Sequence, residues 1–343
     1  MEQAITEVTM ATSVRRIKET ARKSSKAVRV TVDNFERAES DMYLGNVVKD
    51  AGGIGKLQHH RELFAVDNQV VIRGNRDTLY SACVVDLDGG AVIVTLPDAA
   101  KRYRSMQVIN EDQYVVGRVE LNAGTYTIDK DRAGTRYALI AIRTFVDPND
   151  RKDVAQAHAL QDAVSVDQKS AGIFDVPNWD DLGRRKLREA LLTLAATLPD
   201  FRRAFGARDE VDPVRHLIGT AAAWGGNPDR NAIYLNVAPY YNDGATVHRL
   251  TVRDVPVDAF WSISVYNARG YFEKNGRNAY SVNSTTATAN ADGSFTIQFG
   301  GCADDVANCL PIVPGWNYTV RLYQPRPEIL DGSWEFPEAR PIE

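Results

Sequence analysis

No stretch of about eighteen consecutive apolar residues occurs anywhere in the sequence, which excludes a membrane-spanning helix. The basic N-terminal residues are not followed by the roughly 7 to 15 apolar residues of a secretory signal. As written, the chain is expected in the cytoplasm, and in the periplasm where an export signal has been removed. Basic charge is also short: 41 Lys and Arg stand against 45 Asp and Glu, for a net charge of −4. Such a chain lacks the field that condenses on a phosphate backbone, so nucleic acid is not an expected partner. The one basic concentration, from Arg15 to Arg29, reads as a solvated helix or arm.

Chemical signatures are equally sparse. There is no G-x-S-x-G elbow, no H-E-x-x-H helix, no P-loop, no G-x-G-x-x-G and no C-x-x-C pair, which removes several common enzyme classes. Histidine occurs five times, and the adjacent His59 and His60 cannot share a metal from one strand or one helix face. Asn227, Asp229, Asn231, Asn236, Asn242 and Asp243 are calcium-type ligands, but their spacing does not fit an EF-hand loop. No metal and no cofactor are expected. Of three cysteines, Cys83 reads as a small buried hydrophobe. Cys302 and Cys309 stand seven apart in a loop where either a short bridge or two reduced thiols would fit.

What is present is ample apolar material: 44% hydrophobic and 25% charged residues over 343 positions, enough for two cores. Residues 12–29 could form a polar helix. Asp33-Asn34 then starts a second helix presenting Phe35, Ala38, Met42, Tyr43, Val47 and Val48, which Gly52 and Gly53 stop. Runs rich in Val, Ile, Thr and Tyr follow: DNQVVIR, DTLYSACVVDL, AVIVTL, SMQVI, YVVGRV, TYTI and TRYALIAIRTFV. Helices are expected over residues 153–164 and from Asp181 to Phe205, with Gly206 closing the second. Strand patterning resumes near Ile233. The division is therefore an N-terminal arm over 1–30, a first β domain over 31–150, a helical connector over 151–210 and a second β domain over 211–343. Short strands at this spacing imply sandwiches or barrels.

An internal repeat is visible. YRSMQVINEDQY, residues 103–114, aligns without a gap on FWSISVYNARGY, residues 260–271, pairing Ser105 with Ser262, Asn110 with Asn267 and Tyr114 with Tyr271. Each copy follows a strand and a proline-containing link, and each precedes a turn and strand, NAGTYTI or ADGSFTI. Duplication of one β unit is the expectation.

Two polar clusters interrupt the apolar runs. Arg73, Asn75, Arg76, Asp77 and Tyr80 lie in VVIRGNRDTLYSACVV, where Asp77 can act as acid or base, Arg76 as anion clamp and Tyr80 as donor. Gln107, Asn110, Glu111, Asp112 and Tyr114 follow the SMQVI strand, and the neighbouring carboxylates raise one another's pKa where buried. Trp261 and Tyr266 in the repeat copy would supply a stacking wall for a polar ring. A serine esterase would need Ser81 or Ser105 beside a histidine, which the sequence does not position.

At these residues the chain resembles a bacterial two-domain family that pairs domain of unknown function 1254 with domain of unknown function 1214. NRDTLYS at 75–81 and SMQVI at 105–109 resemble the first; FWSISVYNARGYF at 260–272 and WNYTVRLYQPRPEILDGSW at 316–334 resemble the second. The resemblance spans nearly all of the chain from about Thr31. It implies a mainly β fold of two β-sandwich or jelly-roll-like domains, with an N-terminal helical segment and intervening helices. It supplies no agreed catalytic residues. The expected function is a small-molecule site at the ends of the sandwiches or between them. That site takes a polar or carbohydrate-like ligand, with Arg76, Tyr80, Asn110, Trp261 and Tyr266 binding. Asp77 and Glu111 would be catalytic if a glycoside or carboxylic ester is hydrolysed. The alternative is a noncatalytic accessory or interaction protein, and self-association into a homo-oligomer is left open.

Overall fold

A computed structural model of the protein describes residues 26–69 and 72–342. Most of the arm expected as a helix over 12–29 lies outside the described residues. Residues 26–29 are non-helical, and Val28 bridges to Trp179. Helix α1 (Phe35–Asp50) follows the expected start and stop. Its buried face differs from the apolar one read from the sequence. Phe35, Ala38 and Leu44 are buried together with Glu39, Ser40 and Asp41, while Met42, Tyr43, Val47 and Val48 are only half-buried. The polar residues are admitted because partners await them. Arg184 and Arg188 pair with Glu39, Trp224 donates to Ser40 Oγ, and Trp179 donates to Asp41 Oδ2.

The first β unit contains β1 (Gln58–His60), β2 (Thr78–Asp86), β3 (Val92–Leu96), β4 (Arg104–Asn110), β5 (Gly124–Ile128), the single turn α2 (Lys130–Ala133), β6 (Tyr137–Phe145), α3 (Arg151–Asp162) and β7 (Ser165–Gln168). These strands form two antiparallel sheets, ordered β1-β2-β6-β4 and β5-β3-β7. Alternate side chains of both sheets meet in a core that includes Cys83, Val85, Val94, Met106 and Ile140. β6 is buried at all nine positions, as a central strand covered on both faces must be. β7 pairs with β3, so the first unit continues past residue 150, the expected boundary. DNQVVIR is not a strand where it is described. It ends in a turn with Arg73 at φ 52°, a backbone that β-branched runs avoid.

Helix α4 (Asp181–Ala195) is capped by the Asp180 side chain on the Gly183 amide. It stops short of Phe205, because Pro199 has no amide proton to donate and biases Leu198 away from helical backbone. Helix α5 (Pro213–Ala223), not anticipated, has proline in its first turn and the Asp212 carboxylate accepting from the Val214 and Arg215 amides. α1, α4 and α5 share a small core of Phe35, Ala38, Leu191, Ile218 and Ala221.

The second unit contains β8 (Ala232–Val237), β9 (His248–Val252), β10 (Trp261–Tyr266), β11 (Ser281–Asn283), β12 (Phe295–Phe299), β13 (Cys309–Leu310), β14 (Asn317–Tyr323), the turn α6 (Pro327–Leu330) and β15 (Arg340–Pro341). Its sheets are ordered β11-β10-β14-β8 and β13-β12-β9-β15. Trp261, Ile263, Ile297, Phe299, Trp316 and Val320 pack between them. With the short strands β1, β11 and β13 set aside, the two units share one order. β2-β6-β4 matches β8-β14-β10, and β5-β3-β7 matches β12-β9-β15. The register matches too: Ser105 stands opposite Arg143, and Ser262 opposite Arg321. The turns after β4 and β10 are also alike. Asn110 Oδ1 accepts from the Asp112 and Tyr114 amides, and Asn267 Oδ1 from those of Arg269 and Tyr271.

The fold is mainly β, and no helix among the described residues is long and apolar enough to cross a membrane. Cys302 and Cys309 are bridged, with Cα atoms 5.5 Å apart, and Cys83 is free and buried. On chain-entropy grounds, closing so short a loop contributes about 2.5 kcal/mol. Urea denaturation of the Cys302→Ser, Cys309→Ser double variant should show a loss of that order. An unchanged midpoint would mean that the unbridged loop is already restrained.

Candidate functional site

The two units meet along a polar seam, entered by residues 72–77 of the first. The Arg73 amide donates to the Gly270 carbonyl, and its guanidinium donates to Asn317 Oδ1 (2.8 Å) and Thr319 Oγ1 (3.1 Å) on β14. Those bonds hold its left-handed backbone in place. Four residues on, Asp77 is fully buried between the units. It accepts from Ser262 Oγ (2.6 Å) and Asn283 Nδ2 (3.3 Å). Burial raises its pKa, opposed by Arg321, Ser262 and Asn283. Arg321 donates to Ser264 Oγ (2.9 Å), Tyr266 Oη (2.7 Å) and the Arg73 and Gly74 carbonyls, while Tyr266 donates to Gly74 O (2.8 Å). Every member of this half of the seam has protein partners, and a buried cation shares the cluster with a buried carboxyl.

The other half surrounds Arg143, on β6. Its guanidinium donates to Gln107 Oε1 (2.9 Å), Asn227 Oδ1 (3.3 Å) and Gly225 O (2.8 Å), all neutral. Among the described residues no carboxylate lies within ion-pairing distance of it. Burial disfavours this charge, but Tyr80, Tyr234, Tyr103 and Tyr323 outweigh the penalty and raise its pKa. The guanidinium lies 5.6 Å from the Tyr80 ring centre. Asn75 Nδ2 donates to the hydroxyls of Tyr323 (3.0 Å) and Tyr80 (3.3 Å), and Asn227 Nδ2 to that of Tyr234 (2.8 Å). Tyr103 Oη and Ser105 Oγ are buried, and among the described residues neither has a partner in hydrogen-bond geometry. Burial pushes the Tyr103 hydroxyl up to about 12, tempered by the adjacent Ser105 hydroxyl and by the Arg143 charge. Among the described residues, none of these four tyrosines gives its proton to a protein acceptor. This polar side-chain cluster, here called the chamber, is rich in donors, and its amide and carbonyl acceptors are already used.

Beside the chamber a surface groove of about 440 Å³ is lined by Arg76, Leu79, Val146, Lys274 and Tyr280, among others. Arg76 donates to the Phe64 carbonyl and lies 5.2 Å from the Tyr280 ring centre. Phe64 in turn meets Tyr80 edge-on at 6.3 Å, which links groove and chamber.

Residues 54–168 match the family model described as Protein of unknown function (DUF1254), and residues 239–327 match Protein of unknown function (DUF1214). The chain belongs to the two-domain family that pairs them. Among solved structures it is similar to the VPA0106 protein from Vibrio parahaemolyticus, at 17% identity and a TM-score of 0.69, covering 91% of this chain and 98% of that one. It also matches a putative uncharacterized protein from Burkholderia cenocepacia, at 13% identity and a TM-score of 0.49, covering 85% of each chain. No curated protein matches.

In this DUF1254–DUF1214 chain the residues singled out by sequence are divided. Asp77, Tyr80 and Tyr266 come together at the seam, and Arg76 lies in the adjoining groove. Asn110 instead caps its own turn and donates to the Ala133 carbonyl (2.9 Å). Glu111 is buried, accepts from the Tyr137 amide (2.9 Å), and neighbours Asp41 and Arg37 in a different cluster. Trp261 packs in the second core, edge-on to Phe295 at 5.4 Å, and forms no wall of the seam. Ser81 does meet a histidine, with Oγ 2.8 Å from His59 Nδ1, but it is 1% exposed and also takes a bond from Gln161. That contact pins β1, β2 and α3 together and gives a substrate carbonyl no approach. Sequence reasoning missed Arg143, Arg321, Tyr103, Tyr234 and Tyr323. The one local signal was an arginine inside a strand-like run, in β6 and again in β14; its place opposite the repeated serine is a matter of register.

Proposed function

We propose that the chain binds a small polar or carbohydrate-like molecule at the seam between its β units, in the chamber around Arg143. The observation that carries this reading is the pair of buried, unpartnered hydroxyls, Tyr103 Oη and Ser105 Oγ, beside that guanidinium. A buried polar group without a partner costs about 1–3 kcal/mol, which a ligand accepting from it offsets. Tyr80, Tyr103 and Tyr234 are each partly exposed, so the cluster lies near the surface. The reading is one of binding, not hydrolysis. Asp77 and Glu111 share no partner, and each is held by its own donors. The common strand order and the repeated Ser–Arg register support descent of both units from one jelly-roll-like ancestor.

Saturation-transfer NMR on a mixture of sugars, polyols, small acids and amides tests the site. Signals from at least one compound should disappear in a Tyr80→Ala, Tyr234→Ala variant that keeps the wild-type circular dichroism. Signals that survive unchanged would place binding elsewhere.

A further inference from the structure

The two units treat equivalent arginines differently. In the second, Arg321 stands opposite Ser262, and Ser262 Oγ donates to the Asp77 carboxyl at 2.6 Å. The first unit supplies that carboxyl, so the buried cation shares its cluster with an acid. In the first unit, Arg143 stands opposite Ser105, the counterpart of Ser262 in the repeat. Here the guanidinium has only neutral acceptors, Ser105 Oγ has no partner, and neither does the neighbouring Tyr103 Oη. The cation has no counter-charge, and a buried serine and phenol without acceptors carry a desolvation cost. All three deficits have one remedy, an acceptor carrying negative charge, which is what Asp77 supplies in the other unit.

We propose that the Arg143 chamber is an oxyanion site, taking the carboxylate or phosphate of a small organic acid. Arg143 is the counter-charge, and Ser105 Oγ and Tyr103 Oη are the donors. The inference rests on the chamber being the ligand site and narrows the class of ligand that fits it.

The test is a thermal-shift comparison of probes matched in shape and differing in charge: benzoate with benzyl alcohol, succinate with 1,4-butanediol, and inorganic phosphate alone. A ligand binding only the folded state raises the melting temperature, by several degrees once its concentration is about 100 times Kd. The expected result is a rise with at least one anion, at least tenfold weaker apparent binding of its neutral partner, and loss of the rise in Tyr103→Phe. That variant removes a hydroxyl whose one hydrogen-bonding neighbour is the Ser105 hydroxyl, so its unliganded melting temperature should stay close to wild type. Arg143→Met should abolish the anion effect as well, and Tyr103→Phe decides the matter if Arg143→Met does not fold. A rise with phosphate alone points to a phosphorylated ligand, and a rise with the carboxylates alone to an organic acid. Equal shifts from the neutral probes, lost in Tyr103→Phe, would overturn the oxyanion class and leave the chamber as the ligand site. No shift with any probe, or shifts that persist in both variants, would overturn both readings.

Discussion

Arg321→Met is expected to lower folding stability by about 3–5 kcal/mol, because it strands a fully buried carboxyl in the seam. Besides its place in the Asp77 cluster, Arg321 fastens the Arg73 and Gly74 carbonyls of the first unit to β14 of the second. Its loss therefore loosens the joint between the units as well as removing a charge. At roughly 2–4 °C per kcal/mol for a chain of this size class, the melting temperature should fall by about 6–20 °C. Asp77→Asn should cost less, since the amide keeps a bond to Ser262 or Asn283 and introduces no uncompensated anion. The Asp77→Asn, Arg321→Met double variant should be more stable than Arg321→Met alone, and that recovery is the sign of coupling. Calorimetry on the three variants checks the set. If the double variant loses the sum of the two single losses, Asp77 and Arg321 do not stabilise one another, and the seam is held by its neutral bonds.

The seam was only half legible before the structure. Asn75, Asp77 and Tyr80 stood out because charge and amide groups interrupt an apolar run, and that interruption is the physical mark of a chain leaving one sheet to enter another. Arg143 did not stand out. Its neighbours Ile142 and Thr144 continue a good strand, and a single arginine in such a run reads as an edge residue until β6 is known to be central. Only pairing register reveals that Arg143 and Arg321 face Ser105 and Ser262, because register is a long-range property that local periodicity does not encode. Trp261 failed in the opposite direction. An aromatic residue beside polar ones suggests a stacking wall, but in β10 alternate residues point to opposite faces, and the face of Trp261 is that of Ile263 and Val265 in the core. The same limit explains α1, whose buried Glu39, Ser40 and Asp41 are accommodated by Arg184, Arg188, Trp224 and Trp179 from far along the chain.

Asp41→Asn is expected to make the protein more stable at pH 8 than wild type, with an advantage that shrinks as the solution is acidified. Burial pushes the Asp41 carboxyl up to about 7. Trp179 partly relieves it, and the neighbouring Glu111 pushes it further. The ordinary value is 3.8, so between about pH 4 and pH 7 the folded chain holds a proton that the unfolded chain has released. Stability from this group is thus fully present below about pH 4 and is lost as pH rises through 7. About three pH units at 1.36 kcal/mol each give a loss on the order of 4 kcal/mol. Asparagine mimics the protonated carboxyl: its oxygen can accept from Trp179, its amide can donate toward Glu111, and it does not ionise. Urea titrations of both proteins at pH 4.5 and pH 8 isolate the effect, because titrating groups remote from Asp41 are common to both and cancel in the difference. A difference between variant and wild type that stays constant across the two pH values would show that Asp41 remains ionised inside the fold. The Asp41–Glu111 contact would then have to be held by Arg37, which lies 3.9 Å from Glu111, and not by a shared proton.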